Sequence, residues 1–143
     1  MSVAEKIQAL KDFDREAEKI VIELCKDRRA MIIKMNVDEM YGGVDAEGAD
    51  ISPPYRPSTI RRKRRRNQPY DRVTLRDEGD FHGSVEIEFR DGEFELVSRD
   101  QKAKYLQRKY GDDILGLSED NVEKLTNDLK DDFQEVFRKI VLG

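Results

Sequence analysis

The sequence predicts an α+β fold: a small antiparallel sheet of one β-hairpin plus short strands, packed by long N- and C-terminal helices, with a long basic irregular loop. Three observations carry that expectation. Apolar residues near both ends recur at helical spacing, two alternating segments bracket Asp91-Gly92, and all four prolines fall between residues 42 and 72. At 143 residues the chain fits one domain, 1–143, within which 42–72 is expected to be a flexible basic arm.

The elements follow in chain order. Ile7, Leu10, Phe13, Ala17, Ile20 and Leu24, with Val21 beside them, share one face of a helix of roughly 25 residues that ends near Arg28 or Arg29. Met31 to Met35 fits either the last turn of that helix or a short strand. Asn36 followed by Glu39 matches a capping box, and Gly42-Gly43 stops whatever it starts. Residues 42–72 hold three glycines, Pro53, Pro54, Pro57, Pro69 and the basic run, so the only regular piece expected is a short helix from Ser58 into the arginines. Ser84 to Arg90 alternates strictly, Asp91-Gly92 suits a type I′ turn, and Glu93 to Leu96 alternates back. A two-residue turn then pairs Phe89 with Phe94 and Ile87 with Leu96 on one face. The other face carries Glu86, Glu88, Glu93 and Glu95, with Glu88 opposite Glu95, an unfavourable pair unless something positive covers it. Asp100 to Tyr110 reads as a helix with Ala103, Leu106 and Tyr110 inward, and Ile114-Leu115 as a third short strand. Ser118 caps a final helix whose apolar face is Val122, Leu125, Leu129, Phe133, Val136, Phe137 and Ile140.

Composition narrows the function. Hydrophobic residues make up 37% of the chain and charged residues 41%. The absence of any run of 18 apolar residues and the charged stretch from Met1 to Lys11 argue against a membrane span or a signal peptide. A single cysteine, Cys25, leaves no internal disulfide and no Cys-based zinc site, and reads as a small packed residue. One histidine, His82, leaves little for His-dependent catalysis. The expectation is a soluble intracellular protein, not an enzyme, with no metal or cofactor.

The net charge of −4 conceals an asymmetry. Residues 56–66 hold seven positive charges and no negative one, which leaves −11 on the rest of the chain. Asp112 to Glu135 holds nine acidic residues against two lysines. The body is acidic and carries one basic arm. Arg61, Arg62, Lys63, Arg64, Arg65 and Arg66 could meet phosphates, with salt-dependent affinity, or an acidic protein face such as Glu86, Glu88, Glu93 and Glu95 of a neighbour. No aromatic platform or helix-turn-helix pattern adjoins the run, so base readout is not expected. Of the two, assembly contacts are favoured. Asp77, Asp80 and His82 could in principle serve a metal-dependent nuclease or hydrolase, and His82 with Ser84 an acid–base pair, but no third orienting group accompanies either. Turn capping is the simpler reading. No phosphate-binding glycine motif is present.

Leu75, Gly79, Phe81 and Ser84, placed just before the hairpin, resemble a signature of tail-completion and neck proteins of long-tailed bacteriophages, Leu-x-x-(Thr)-Gly-x-Leu-x-x-Ser before a β-hairpin. Glu78 stands where Thr is common and Phe81 where Leu is common. A preceding Tyr55, Thr59, Lys63 segment, the Tyr105 to Gly111 element and the charged terminal helix match the layout as well. The resemblance implies a non-enzymatic virion protein of the neck or tail, acting in head–tail joining or tail completion. It implies a ring subunit, typically of a hexamer, with other neck and tail proteins as partners and host cytoplasm as the place of assembly. In this setting Leu75 and Phe81 bury, Gly79 permits the turn between them and Ser84 begins the strand. A non-specific nucleic-acid-binding accessory protein acting through Arg61–Arg66 is the alternative.

Overall fold

The computed structural model describes residues 2–142, apart from the side chains of Ala9, Leu10, Lys11, Phe13, Val141 and Leu142. Helix α1 (Val3–Asp27) opens on a reciprocal box: Glu5 N–H donates to Ser2 Oγ at 3.1 Å, and Ser2 N–H to the Glu5 carboxylate at 2.7 Å. It ends as expected, at Arg28. Its buried residues are Ile20, Leu24 and Cys25, while Ile7 is exposed; the expected core positions Leu10 and Phe13 lie outside the described side chains.

Arg28 leads directly into helix α2 (Arg29–Tyr41), so the segment Met31 to Met35 is helical. Ile32, Asn36 and Met40, four apart, form its buried face. Asn36 is therefore not a cap. It lies in mid-helix, 1% exposed, and its amide spans backbone far away in sequence: Nδ2 donates to the Ile114 carbonyl at 3.0 Å, and Oδ1 accepts from Gly116 N–H at 3.2 Å. Glu39, read as the box partner, accepts instead from Ser118 N–H at 2.7 Å and from the Asn121 amide. Gly42 closes α2.

Strands β1 (Val85–Arg90) and β2 (Glu93–Ser98) form the sheet in the expected register, Ile87 opposite Leu96, Glu88 opposite Glu95 and Phe89 opposite Phe94. The turn differs from expectation. A type I′ turn needs positive φ at both central residues. Gly92 has φ +75, but the only non-glycine residues with positive φ among those described are Asn67 and Leu75, so Asp91 avoids the left-handed region. The Ile114-Leu115 strand is absent as well: Asp112–Ile114 is a short 3-10 turn. Asn36 takes the Ile114 carbonyl and the Gly116 N–H, two groups that a strand ladder would have used. Beyond the hairpin, an isolated bridge joins Val44 to Asp50.

Three further helices complete the chain before the last: α3 (Pro57–Arg65), α4 (Asp80–Gly83) and α5 (Ala103–Tyr110). Helix α6 (Glu119–Leu142) starts where Asn121 N–H donates to Ser118 Oγ at 3.3 Å and runs along α1. Leu125 and Leu129 are buried, Phe133, Val136 and Phe137 half-buried, and Val122 and Ile140 exposed. The helix lying on β1 is α2, and Arg29 stacks on Phe89 at 5.3 Å. Arg28, at the α1–α2 junction, ties both to α6: Nε donates to Asp128 at 2.7 Å and Nη2 to Asp132. Those two carboxylates, Asp128 first, raise its pKa above the ordinary arginine value, so the clamp stays charged.

Burial decides which apolar residues carry stability. Ile32 is fully buried (0% exposed) within the core shared by α2, the hairpin and α6, whereas Phe89 and Phe133 are half-buried. Ile32→Ala should cost about 3–5 kcal/mol in urea denaturation, at the upper end for such truncations. Phe89→Ala should cost less, about 1–3 kcal/mol, because part of its ring already meets water. The reverse order would show that the core is not centred on α2.

Candidate anion-binding surface

Helix α3 exists because Pro57 stands at its first position with φ preset, and because four cationic residues, Arg62 to Arg65, occupy its last turn, where the helix dipole favours them. The short helix expected from Ser58 into the arginines is thus present, starting one residue earlier, at Pro57. Its inward side is Thr59, Ile60 and Lys63. Lys63 is 4% exposed, which removes it from the expected contact residues. Its ammonium donates to the Arg76 carbonyl at 2.8 Å and stands 5.0 Å from the centre of the Tyr55 ring.

The segment that receives α3 is the one that holds Leu75, Gly79, Phe81 and Ser84. Thr74 N–H donates to the Tyr55 hydroxyl at 2.9 Å, Arg66 pairs with Asp77 at 3.1 Å, and the Gln68 amide donates to the Asp77 carbonyl at 2.8 Å. Leu75 and Phe81 are buried, and Gly79 between them has φ +94, a conformation that any side chain would strain. Leu75 itself has φ +57. Ser84 Oγ donates to the Phe81 carbonyl at 2.6 Å and lies 2.6 Å from Ser98 Oγ, tying the start of β1 to the end of β2. Signature and basic helix, separate features in the sequence, are one structural unit.

Outward from that unit, Arg64 stacks on Tyr70 at 4.6 Å and Arg66 holds Asp77. Arg61, Arg62 and Arg65 are exposed, share one helix face and have no acidic partner among the described residues. The expected acidic counterpart, the hairpin ladder, is already covered from within the hairpin. Arg90 lies 3.2 Å from Glu95 and 3.7 Å from Glu88, Arg99 lies 2.9 Å from Glu88 and 4.0 Å from Glu86, and Glu93 faces Arg90 in the register. The like-charge Glu88–Glu95 pair thus finds its positive cover locally, and the ladder offers a neighbour's arginines less than its sequence suggests.

Between α3 and α5 runs a groove of about 750 Å³. Arg56 and Arg62 line one side; Lys102, Tyr105 and Lys109 line the other. The tyrosines here were not foreseen as an aromatic element of the basic surface. The signal was present: Lys102, Tyr105 and Lys109 are spaced three and four apart, one face of a helix.

The alternative catalytic residues have separate partners. Asp77 is held by Arg66, Asp80 lies 3.8 Å from Lys102, and His82 Nε2 meets the Thr74 carbonyl at 2.7 Å. Among the described residues no group of three His, Cys, Asp or Glu side chains could hold a metal. Cys25 is buried, and that burial pushes its thiol pKa up, away from reactivity. No described helix is long and apolar enough to cross a membrane. Compared with protein-family models, curated proteins and solved structures, the chain matches none.

His82 gives this region a pH dependence. Burial lowers its pKa below the ordinary 6.5; the Thr74 carbonyl works against this, and the nearby charges of Arg76 and Lys63 add to it. Below pH 6.5 the unfolded chain gains a proton at His82 that the folded chain resists, so stability falls on acidification until the folded pKa is passed. It is the only histidine. Between about pH 7 and about pH 5.5 the native protein should therefore lose stability faster than His82→Gln, which keeps a donor for Thr74. Parallel profiles would show that His82 does not titrate as a buried neutral ring.

Proposed function

We propose that this chain is a structural subunit of the neck or tail of a long-tailed bacteriophage, acting in head–tail joining or tail completion rather than in catalysis. The observation that supports the reading is the local structure of residues 75–84, in which Ser84 caps α4 just ahead of the strand instead of beginning it. Leu75 and Phe81 are packed, Gly79 turns the chain between them at positive φ, and Ser84 locks the base of the hairpin that follows. The same segment seats α3, so the signature also fixes where the basic surface points. In this reading the chain forms a ring of copies, six by the resemblance, assembles in the host cytoplasm, and joins other neck and tail proteins in the virion.

A second reading has its own support. Arg61, Arg62 and Arg65 have no acidic partner among the described residues, and the hairpin glutamates are already paired, which favours a phosphate backbone over an acidic protein face. Under it the protein is a non-specific nucleic-acid-binding accessory factor. The two readings are compatible in a ring that surrounds DNA.

Native mass spectrometry and negative-stain microscopy of the purified chain, alone and mixed with a phage connector, test the first reading. A closed ring in either condition is the expected result, and Gly79→Val should abolish it. A strict monomer in both, or normal assembly of Gly79→Val, would mean that the signature is accidental.

A further inference from the structure

The groove between α3 and α5 combines three features that the assembly reading leaves unused. It has a cationic lining: Arg56, Arg62, Lys63, Arg76, Lys102 and Lys109 face three carboxylates, of which Asp77 and Asp80 are already paired with Arg66 and Lys102. Lys63 is nine-tenths buried; its ammonium has one hydrogen-bond acceptor, the Arg76 carbonyl, and the face of the Tyr55 ring, but no described carboxylate within ion-pair distance. A buried ammonium without a counter-charge favours an anion beside it. The third feature is an aromatic ring held in the open. Tyr105 is 61% exposed on the groove wall, with Lys109 at 6.0 Å from its centre.

Arg61 and Arg65 lie outside the groove, on the exposed outer face of α3. Arg61 and Arg65 lie one helical turn apart, about 6 Å along the axis, with Arg62 between them turning toward the groove. Guanidinium groups in a row suit successive backbone phosphates, each able to take a two-point contact. A charged track beside an exposed aromatic ring is the arrangement by which proteins hold an unpaired strand: phosphates follow the cations and a base stacks on the ring. A duplex cannot use Tyr105 this way because its bases are already stacked. A purely acidic peptide such as polyglutamate could meet the arginines but carries no aromatic group to stack on the ring.

We infer that the α3–α5 groove binds single-stranded nucleic acid without sequence preference, with a phosphate on Arg62 at the groove and the strand continuing over Arg61 and Arg65 outside it, Lys63 beside the path, and a base on Tyr105. This rests on the nucleic-acid reading, to which it adds the strand state and the stacking ring, and not on the assembly reading; tighter binding of duplex would overturn it while leaving the nucleic-acid reading standing.

Fluorescence anisotropy of the full chain at low salt tests it, with three probes: a labelled oligothymidylate, a duplex of equal length and a labelled polyglutamate. Oligothymidylate should bind tightest. Tyr105→Ala should weaken that binding by about tenfold and leave duplex binding unchanged, while Tyr105→Phe restores it. Neutralising Arg61, Arg62 and Arg65 to Gln should flatten the plot of log affinity against log salt by about 2, the share of three phosphates on a single strand. These residues are exposed, so circular dichroism should report an unchanged fold for every variant. No binding at low salt, equal or tighter binding of duplex or polyglutamate, an unaffected Tyr105→Ala or an unchanged salt slope would each overturn the inference.

Discussion

The two hydrogen bonds of the Asn36 amide, donated to the Ile114 carbonyl and accepted from the Gly116 N–H, are the constraint on which the arrangement turns. A primary amide buried in a helix face is costly unless both its ends are satisfied, and here both are, by backbone 78 and 80 residues away. That contact fixes the 3-10 turn after α5 against α2. Glu39, one turn further along, grips Ser118 and Asn121 at the start of α6. Arg28, two turns before Asn36, takes Asp128 and Asp132 further down the same helix. Three polar side chains at one edge of α2 thus set the course of α6, and apolar packing of Ile32, Met40, Leu125 and Leu129 fills the space they define.

A second unit is stitched to this frame through residues 74–77. His82 and Tyr55 both hold Thr74, Lys63 holds the next carbonyl but one, and Arg66 with Gln68 holds Asp77. Six charges in a row would repel one another as a free strand. As a helix they diverge around the axis, one turns inward to a carbonyl, one stacks on Tyr70 and one meets a carboxylate, so the repulsion left is confined to a single face.

Much of this was legible in the sequence, for reasons that can be named. The hairpin and its register followed from alternation on both sides of a two-residue turn, since a slip of one residue would turn Ile87 and Leu96 to solvent. The terminal helices followed from apolar spacing. What misled was ambiguity of period. Asn followed three residues later by Glu is a capping box, but the same spacing is also one face of a helix interior, and only contacts with residues 114–121 decide between them. The basic run hid its own amphipathicity because every position is cationic. The one lysine among the arginines was the sign: a compact ammonium on a flexible stem can reach a buried carbonyl where a broad guanidinium fits poorly. The local cover of Glu88 and Glu95 was also within reach, as Arg90 and Arg99 stand at the ends of the strands.

The separation of charge described above concentrates positive potential along the groove between α3 and α5. The cations of α3 and α5 lie on one side, while the rest of a chain of net charge −4 is acidic. An approaching anion is repelled from most directions and drawn to one, so the encounter is oriented before any contact forms. At physiological salt that field reaches only about 8 Å, roughly the width of a helix, so the turning happens in the last step of approach.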